Sequence, residues 1–186
     1  PCTLLTGKQS VVDCAPNRAP RRELLNDVQR DWCKIALLAI LNARPGYSLN
    51  KKIVAVLLVD DFESFRTLIS SLLQEKADLQ IVAEASDGME AVQKSRQLQP
   101  DLILLGIGLP KLNGIEAARQ IRKVAAHSKI VFVTQETSAD IMREAISVGA
   151  MGYVVKAKAG SELLKAIDLV LEGKQFIGSG VTARES

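Results

Sequence analysis

The rhythm of apolar positions changes twice along this chain. Residues 1–20 mix Gly, Pro, Ser, Asn and charged side chains without period and read as a loose tail. From Arg21, apolar residues Leu24, Leu25, Val28, Trp32, Ile35 and Leu38 recur at steps of three and four, which predicts a helix over about 21–43 stopped by Arg44-Pro45-Gly46. Its far end, 35–41, is apolar on every side. Such a helix is expected to bury itself, either against the domain that follows or against a second copy of the chain as a homodimer.

Beyond residue 52 short apolar runs alternate with helical patterns, five times over. The runs 53–59, 79–85, 102–105, 130–134 and 152–155 each have the length of a buried parallel strand. Between them, Phe65, Leu68, Ile69, Leu72 and Leu73 form one helical stripe, Ile115, Ala118, Ile121 and Ala125 another, and Leu163, Leu164, Ile167, Val170 and Leu171 a third. Each stripe is read as core. Turn signals fall where the alternation needs them, at Asp87-Gly88, Gln99-Pro100, Asn113-Gly114, Val148-Gly149 and Glu172-Gly173. The fold class is therefore α/β, a doubly wound five-stranded parallel sheet preceded by a helical extension. The organisation expected is an extension over 1–50, a domain over 51–177 and a tail over 178–186. In such sheets ligands bind outside the carboxyl ends of the strands, so chemistry is sought there.

Composition narrows the partners. The formal charge of +3 is uneven, with seven Lys/Arg against four Asp/Glu in residues 1–50 and seventeen of each in 51–186. An electrically balanced body with 4% aromatic residues offers no footprint for nucleic acid. Cys2, Cys14 and Cys33 all precede the domain, and three cysteines without paired spacing make neither a disulfide framework nor a zinc site, which fits a reducing cytoplasm. The longest apolar run, 35–41, is too short to span a bilayer, so no membrane partner is expected. The single histidine, His127, is read as a solvated loop residue.

The strand ends carry the candidate chemistry. The first ends in Asp60-Asp61, adjacent carboxylates that repel each other and favour a hard cation such as Mg²⁺, although a pair like this on its own is more often a turn or helix cap. The fourth ends in Thr134, a hydroxyl able to donate to a phosphoryl oxygen. The fifth ends in Lys156, a cation costly to bury unless an anion reaches the same mouth. Tyr153 is most simply a half-buried sheet aromatic.

Taken together, two Asp after strand one, Thr after strand four, and Lys after strand five with Tyr three residues before it resemble the active site of response-regulator receiver domains. The resemblance covers residues 53–176 and includes Leu109-Pro110 and Asn113-Gly114. It implies the strand order 2-1-3-4-5. The stretch from Gly149 to Lys156 and the pair Phe176-Ile177 look most like receivers that precede a DNA-binding helix-turn-helix. In the family, an aspartate ending strand three takes a phosphoryl group from a histidine kinase, with Mg²⁺ bridging it to the acidic pair. The resemblance thus implies metal ligation by Asp60, Asp61 and the Gly108 carbonyl, phosphoryl contacts from Thr134 and Lys156, and an inward-swinging switch residue in Tyr153.

At the acceptor position the sequence departs from the family: Gly106 stands where the aspartate belongs. Glycine has nothing to phosphorylate. Asp101 lies five extended residues away, roughly 17 Å, at the other end of the sheet. The leading expectation is a signalling interaction module without a phosphoryl switch and without enzymatic activity of its own. It would meet a histidine kinase or another signalling protein through helix one, or through helix four, strand five and helix five, and bind Mg²⁺ weakly. The alternative is a Mg²⁺-dependent phosphoryl-accepting regulator disabled by one Asp-to-Gly substitution. A nucleotide or flavin binder is disfavoured, since Asp60-Asp61-Phe62-Glu63 is acidic where a phosphate loop is glycine-rich. Direct DNA binding is disfavoured because ten residues follow Phe176.

Overall fold

A computed structural model of the chain describes residues 52–182. The expected helix over 21–43, and with it the extension, lies outside the described residues. The strands are β1 (Val54–Val59), β2 (Leu79–Ala85), β3 (Leu102–Leu105), β4 (Lys129–Thr134), β5 (Gly152–Val155) and β6 (Phe176–Ile177). The helices are α1 (Glu63–Leu73), α2 (Gly88–Leu98), α3 (Gly114–Val124), α4 (Ala139–Ser147) and α5 (Ala159–Leu171), with a 3₁₀ turn over Lys156–Lys158 before α5. All strand pairs are parallel, in the order β2-β1-β3-β4-β5-β6.

The continuous apolar runs are explained by two buried faces. Along β3, Leu102 and Leu104 face a cluster with Ile69 and Leu73 of α1 and Leu163, Ile167 and Val170 of α5. Ile103 and Leu105 face the opposite cluster, with Ala91 of α2, Ile115, Ala118 and Ile121 of α3, and Ala145 of α4. Successive strand residues point to opposite sides, so a strand covered on both faces needs apolar residues at every position. The α1 stripe is narrower than expected: Leu68 is 52% exposed, because the core-facing line runs through Ile69 and Leu73.

Two helices start on side-chain caps at the turns the sequence marks. Asp87 accepts from the Glu90 N–H at 2.8 Å, and Asn113 from the Glu116 N–H at 2.9 Å. Gly114 has a separate reason to be glycine. A Cβ there would stand 1.9 Å from the Gly106 carbonyl oxygen, so the start of α3 lies directly against the end of β3.

One expectation is corrected. The sheet has six strands, not five, because Phe176–Ile177 pairs with β5 in the register Gly152↔Phe176 and Tyr153↔Ile177. Residues 178–182, read as part of a tail, are bonded back onto the domain through the Gly178, Ser179 and Thr182 amides. A two-residue strand has no period to read, and its pairing is with a segment more than twenty residues away.

Candidate functional site

Parallel strands place all their carboxyl ends on one edge of the sheet, and there β1, β3, β4 and β5 surround a pocket of about 90 Å³. Asp60, Asp61, Gly106, Gly108, Thr134 and Lys156 all line it. Asp101 does not. It sits at the opposite edge, accepting from Lys52 Nζ at 2.8 Å and from the Ala55 N–H at 3.0 Å.

Asp60 is buried, at 1% exposure, and both of its oxygens are engaged. Oδ1 accepts from the Phe62 N–H at 3.0 Å, while Oδ2 lies 2.6 Å from Lys156 Nζ. The Asp60 backbone is held as well, its carbonyl accepting from Arg66 Nη1 at 2.8 Å. Asp61, the neighbouring carboxylate, is exposed. The anion that meets Lys156 is therefore supplied by the chain itself. The ammonium also lies 4.3 Å from the Phe65 ring centre and 5.4 Å from that of Phe62. Aromatic faces attract a cation through their quadrupole, so both rings add to the hold that Asp60 has on the ammonium. Sequence reasoning assigned Phe65 to the core and Phe62 to nothing; no sequence spacing marks a cation–ring contact across 90 residues.

Thr134 is 2% exposed. Its oxygen accepts from the Glu136 N–H at 3.2 Å, which leaves the hydroxyl proton available to a group in the pocket. Tyr153 is wholly buried rather than half-buried, and its hydroxyl donates to the Glu136 carbonyl at 2.9 Å. Burial, with the nearby Glu136 charge, pushes its phenol up to about 12. Thr134 and Tyr153 thus hold the same loop residue, Glu136, from two sides.

At the centre of the pocket, Gly106 donates its N–H to the Val59 carbonyl at 2.9 Å. A Cβ built there would lie 3.3 Å from both Asp60 Oδ2 and Leu109 Cδ2. Any side chain at this position therefore starts beside the Asp60 carboxylate. Gly108 is exposed and lines the mouth.

As arranged, these residues fit a divalent ion poorly. Both Asp60 oxygens have partners, and among the described residues no group of three or more His, Cys, Asp or Glu side chains converges. Lys156 offsets the charge of Asp60, while Asp61 and Glu136 also line the pocket. Another cavity, of about 740 Å³, is an open groove between α2 and α3 lined by Asp87, Met89, Arg96, Lys111 and Gln120. It lies away from the strand-end pocket, and its ion pair, Lys111 with Asp87, caps the start of α2. Among the described residues no helix is long and apolar enough to cross a membrane.

Comparison with known proteins agrees with the geometry. A family model for the response regulator receiver domain matches residues 56–168. Response regulator GacA of Pseudomonas viridiflava is 34% identical over 124 residues, 67% of this chain and 58% of that protein. The transcriptional regulatory protein LiaR of Bacillus subtilis is 32% identical over 131 residues, 70% of this chain and 62% of its own length. The chain thus spans about three fifths of these curated relatives. Among solved structures, a LuxR-family two-component response regulator from Aurantimonas sp. SI85-9A1 superposes with a TM-score of 0.67 at 31% identity, covering 70% of this chain and 93% of that one. The response regulator domain of Thermotoga maritima CheB gives 0.61 at 32% identity, covering 65% of this chain and 98% of that one. With its parallel sheet, its strand-end pocket and this match over most of its length, the chain belongs to the response regulator receiver domain family of two-component signalling.

Proposed function

We propose that this receiver acts as a signalling interaction module that carries no phosphoryl switch of its own. The observation behind this reading is Gly106 at the centre of the pocket, with no carboxylate placed to stand in for an acceptor. Asp60 is committed through both oxygens, Asp61 is exposed at the rim, and Asp101 is at the far edge of the sheet. Lys156 is already paired with Asp60, so the cation that would meet an incoming phosphoryl group is engaged within the chain. Mg²⁺ affinity in this reading is low, because an ion has to displace the Lys156 ammonium and finds two carboxylates where a complete site offers three.

Receiver domains interact with histidine kinases, and a kinase or another signalling protein is the partner class this reading names. The contact surfaces would be α1, or α4, β5 and α5. Nucleic acid is left to other parts of such proteins, since residues 51–186 hold equal numbers of basic and acidic side chains.

One observation favours a second reading, in which a single substitution disables an otherwise complete phosphoryl acceptor. Thr134 and Lys156 both line the pocket, and Gly106 is outside the left-handed backbone region, so an aspartate fits there once Asp60 and Leu109, each 3.3 Å from the Cβ it would carry, give by a few tenths of an ångström. Intact mass after incubation with acetyl phosphate and Mg²⁺ tests both. The chain itself is expected to gain nothing and Gly106→Asp to gain one phosphoryl group. A phosphorylated parent chain overturns the first reading; an unmodified Gly106→Asp overturns the second.

A further inference from the structure

The groove between α2 and α3, about 740 Å³, is walled by two helix faces. Met89, Val92, Gln93 and Arg96 of α2 stand at the steps of three, four and seven that share one face, and Gln120 and Val124 of α3 stand four apart. The apolar part of the groove is open, since Met89 is 54% exposed and Val92 and Val124 are half-buried. Two helices side by side leave a furrow into which the side chains of a third can pack. Arg96 is exposed at its rim and has no ion-pair partner among the described residues.

One end of this groove lies where the chain enters the sheet. Lys52, two residues before β1, pairs with Asp101 at 2.8 Å, and Asp101 follows Arg96 by five residues. At the same edge the Gln99 side-chain amide donates to the Val124 carbonyl at 2.8 Å, tying the ends of α2 and α3 together. Residues 44–51 separate Lys52 from the segment 21–43, for which the sequence predicts a helix. A linker of that length spans at most about 28 Å. Helix α2 is about 16 Å long, so every point along the groove is within reach.

The segment has the dimensions and the charge to fill it. In a helix its stripe of Leu24, Val28, Trp32, Ile35 and Leu38 runs for about 21 Å. Asp27 and Asp31, four apart, flank that stripe and complement the unpaired Arg96. A segment on so short a tether meets its own groove at an effective concentration in the millimolar range, which favours its own domain over a second copy of the chain. We propose that residues 21–43 dock as a helix in the α2–α3 groove of their own domain, with the apolar stripe against Met89, Val92 and Val124. Docking closes this face of the receiver and leaves the strand-end pocket open.

Trp32 is the chain's one tryptophan and belongs to the stripe, so the intact protein reports docking by its own fluorescence. The parent is expected to sediment as a monomer, with blue-shifted emission shielded from iodide. Met89→Glu puts a charge into the groove at an exposed position. It is expected to lower the docking equilibrium by roughly tenfold, the worth of one buried apolar side chain, seen as a red shift and gain of iodide quenching. Leu68→Glu, the same kind of change on α1 at a similar exposure of 52%, should leave the emission as it is. From the other side of the contact, Trp32→Ala should move the amide NMR signals of Val92, Gln93 and Val124. Solvent-exposed emission in the parent, emission indifferent to Met89→Glu, or groove amides unmoved by Trp32→Ala overturns the proposal. A response to Leu68→Glu overturns it by placing the helix on α1, and a dimer whose dissociation unshields Trp32 overturns it by placing the helix on a second copy.

Discussion

An aspartate side chain introduced at position 106 would begin 3.3 Å from Asp60 Oδ2, which sets the terms of the first prediction. Replacing a strand glycine recovers roughly 0.5–1 kcal/mol of backbone entropy. Two like charges about 4 Å apart in a partly screened site repel by about 4 kcal/mol, of which Lys156 offsets a part. Repulsion wins, so Gly106→Asp is expected to melt lower than the parent in EDTA and to recover with Mg²⁺; a higher melting temperature in EDTA contradicts this. Lys156→Met tests the existing pair. Removing one member of a buried ion pair leaves the other uncompensated and costs about 3–5 kcal/mol, measurable by urea denaturation, and a loss below about 1 kcal/mol means that Asp60 is not held as described. At this scale the sequence was partly legible. Asp60, Thr134 and Lys156 stand at strand ends, where position alone marks them. That Lys156 pairs with Asp60, and that Tyr153 is wholly buried, depends on how side chains from separate strands turn, which spacing does not encode.

Among the elements, α2 offers a pH test through its cap. Lys111, hydrogen-bonded to Asp87 at 2.5 Å, and then the Glu90 N–H hold the Asp87 carboxyl below the ordinary carboxylate range. A folded-state value below the unfolded one contributes stability that is complete above pH ~4 and is lost as pH falls from there through the folded value. Asp87→Asn keeps a capping oxygen and removes the charge, so it is expected to flatten the acid limb of the stability curve and to change neutral-pH stability by about 1 kcal/mol or less. An unchanged acid limb contradicts the assignment. The strands over 102–105 and 152–155 were legible end to end, because burial on both faces demands unbroken apolar runs, and the edge strand over 79–85 was legible despite Gln80 and the exposed Glu84. Leu68 misled for the related reason that a helical stripe read from sequence is wider than the line of residues that touches the sheet.

For the whole molecule, two complete hydrophobic layers enclose the sheet within residues 52–182. A chain beginning at Leu49 is therefore expected to fold on its own, with a sheet-and-helix circular dichroism spectrum and a cooperative melt; an unfolded product would place the N-terminal residues in the core. The layered architecture was legible because alternation of strand and helix leaves few packings. The sixth strand was not, since it is held by backbone bonds to a segment more than twenty residues away and has no period of its own. The central claim, a receiver whose switch region does not answer to phosphoryl donors, is tested most directly by the amide NMR spectrum of the parent chain before and after acetyl phosphate with Mg²⁺. The amides of Gly106, Glu136, Ala139 and Tyr153 are predicted to stay where they are. Shifts at these positions in the parent chain would contradict the claim, because the pocket would then still receive a phosphoryl group and pass the signal on.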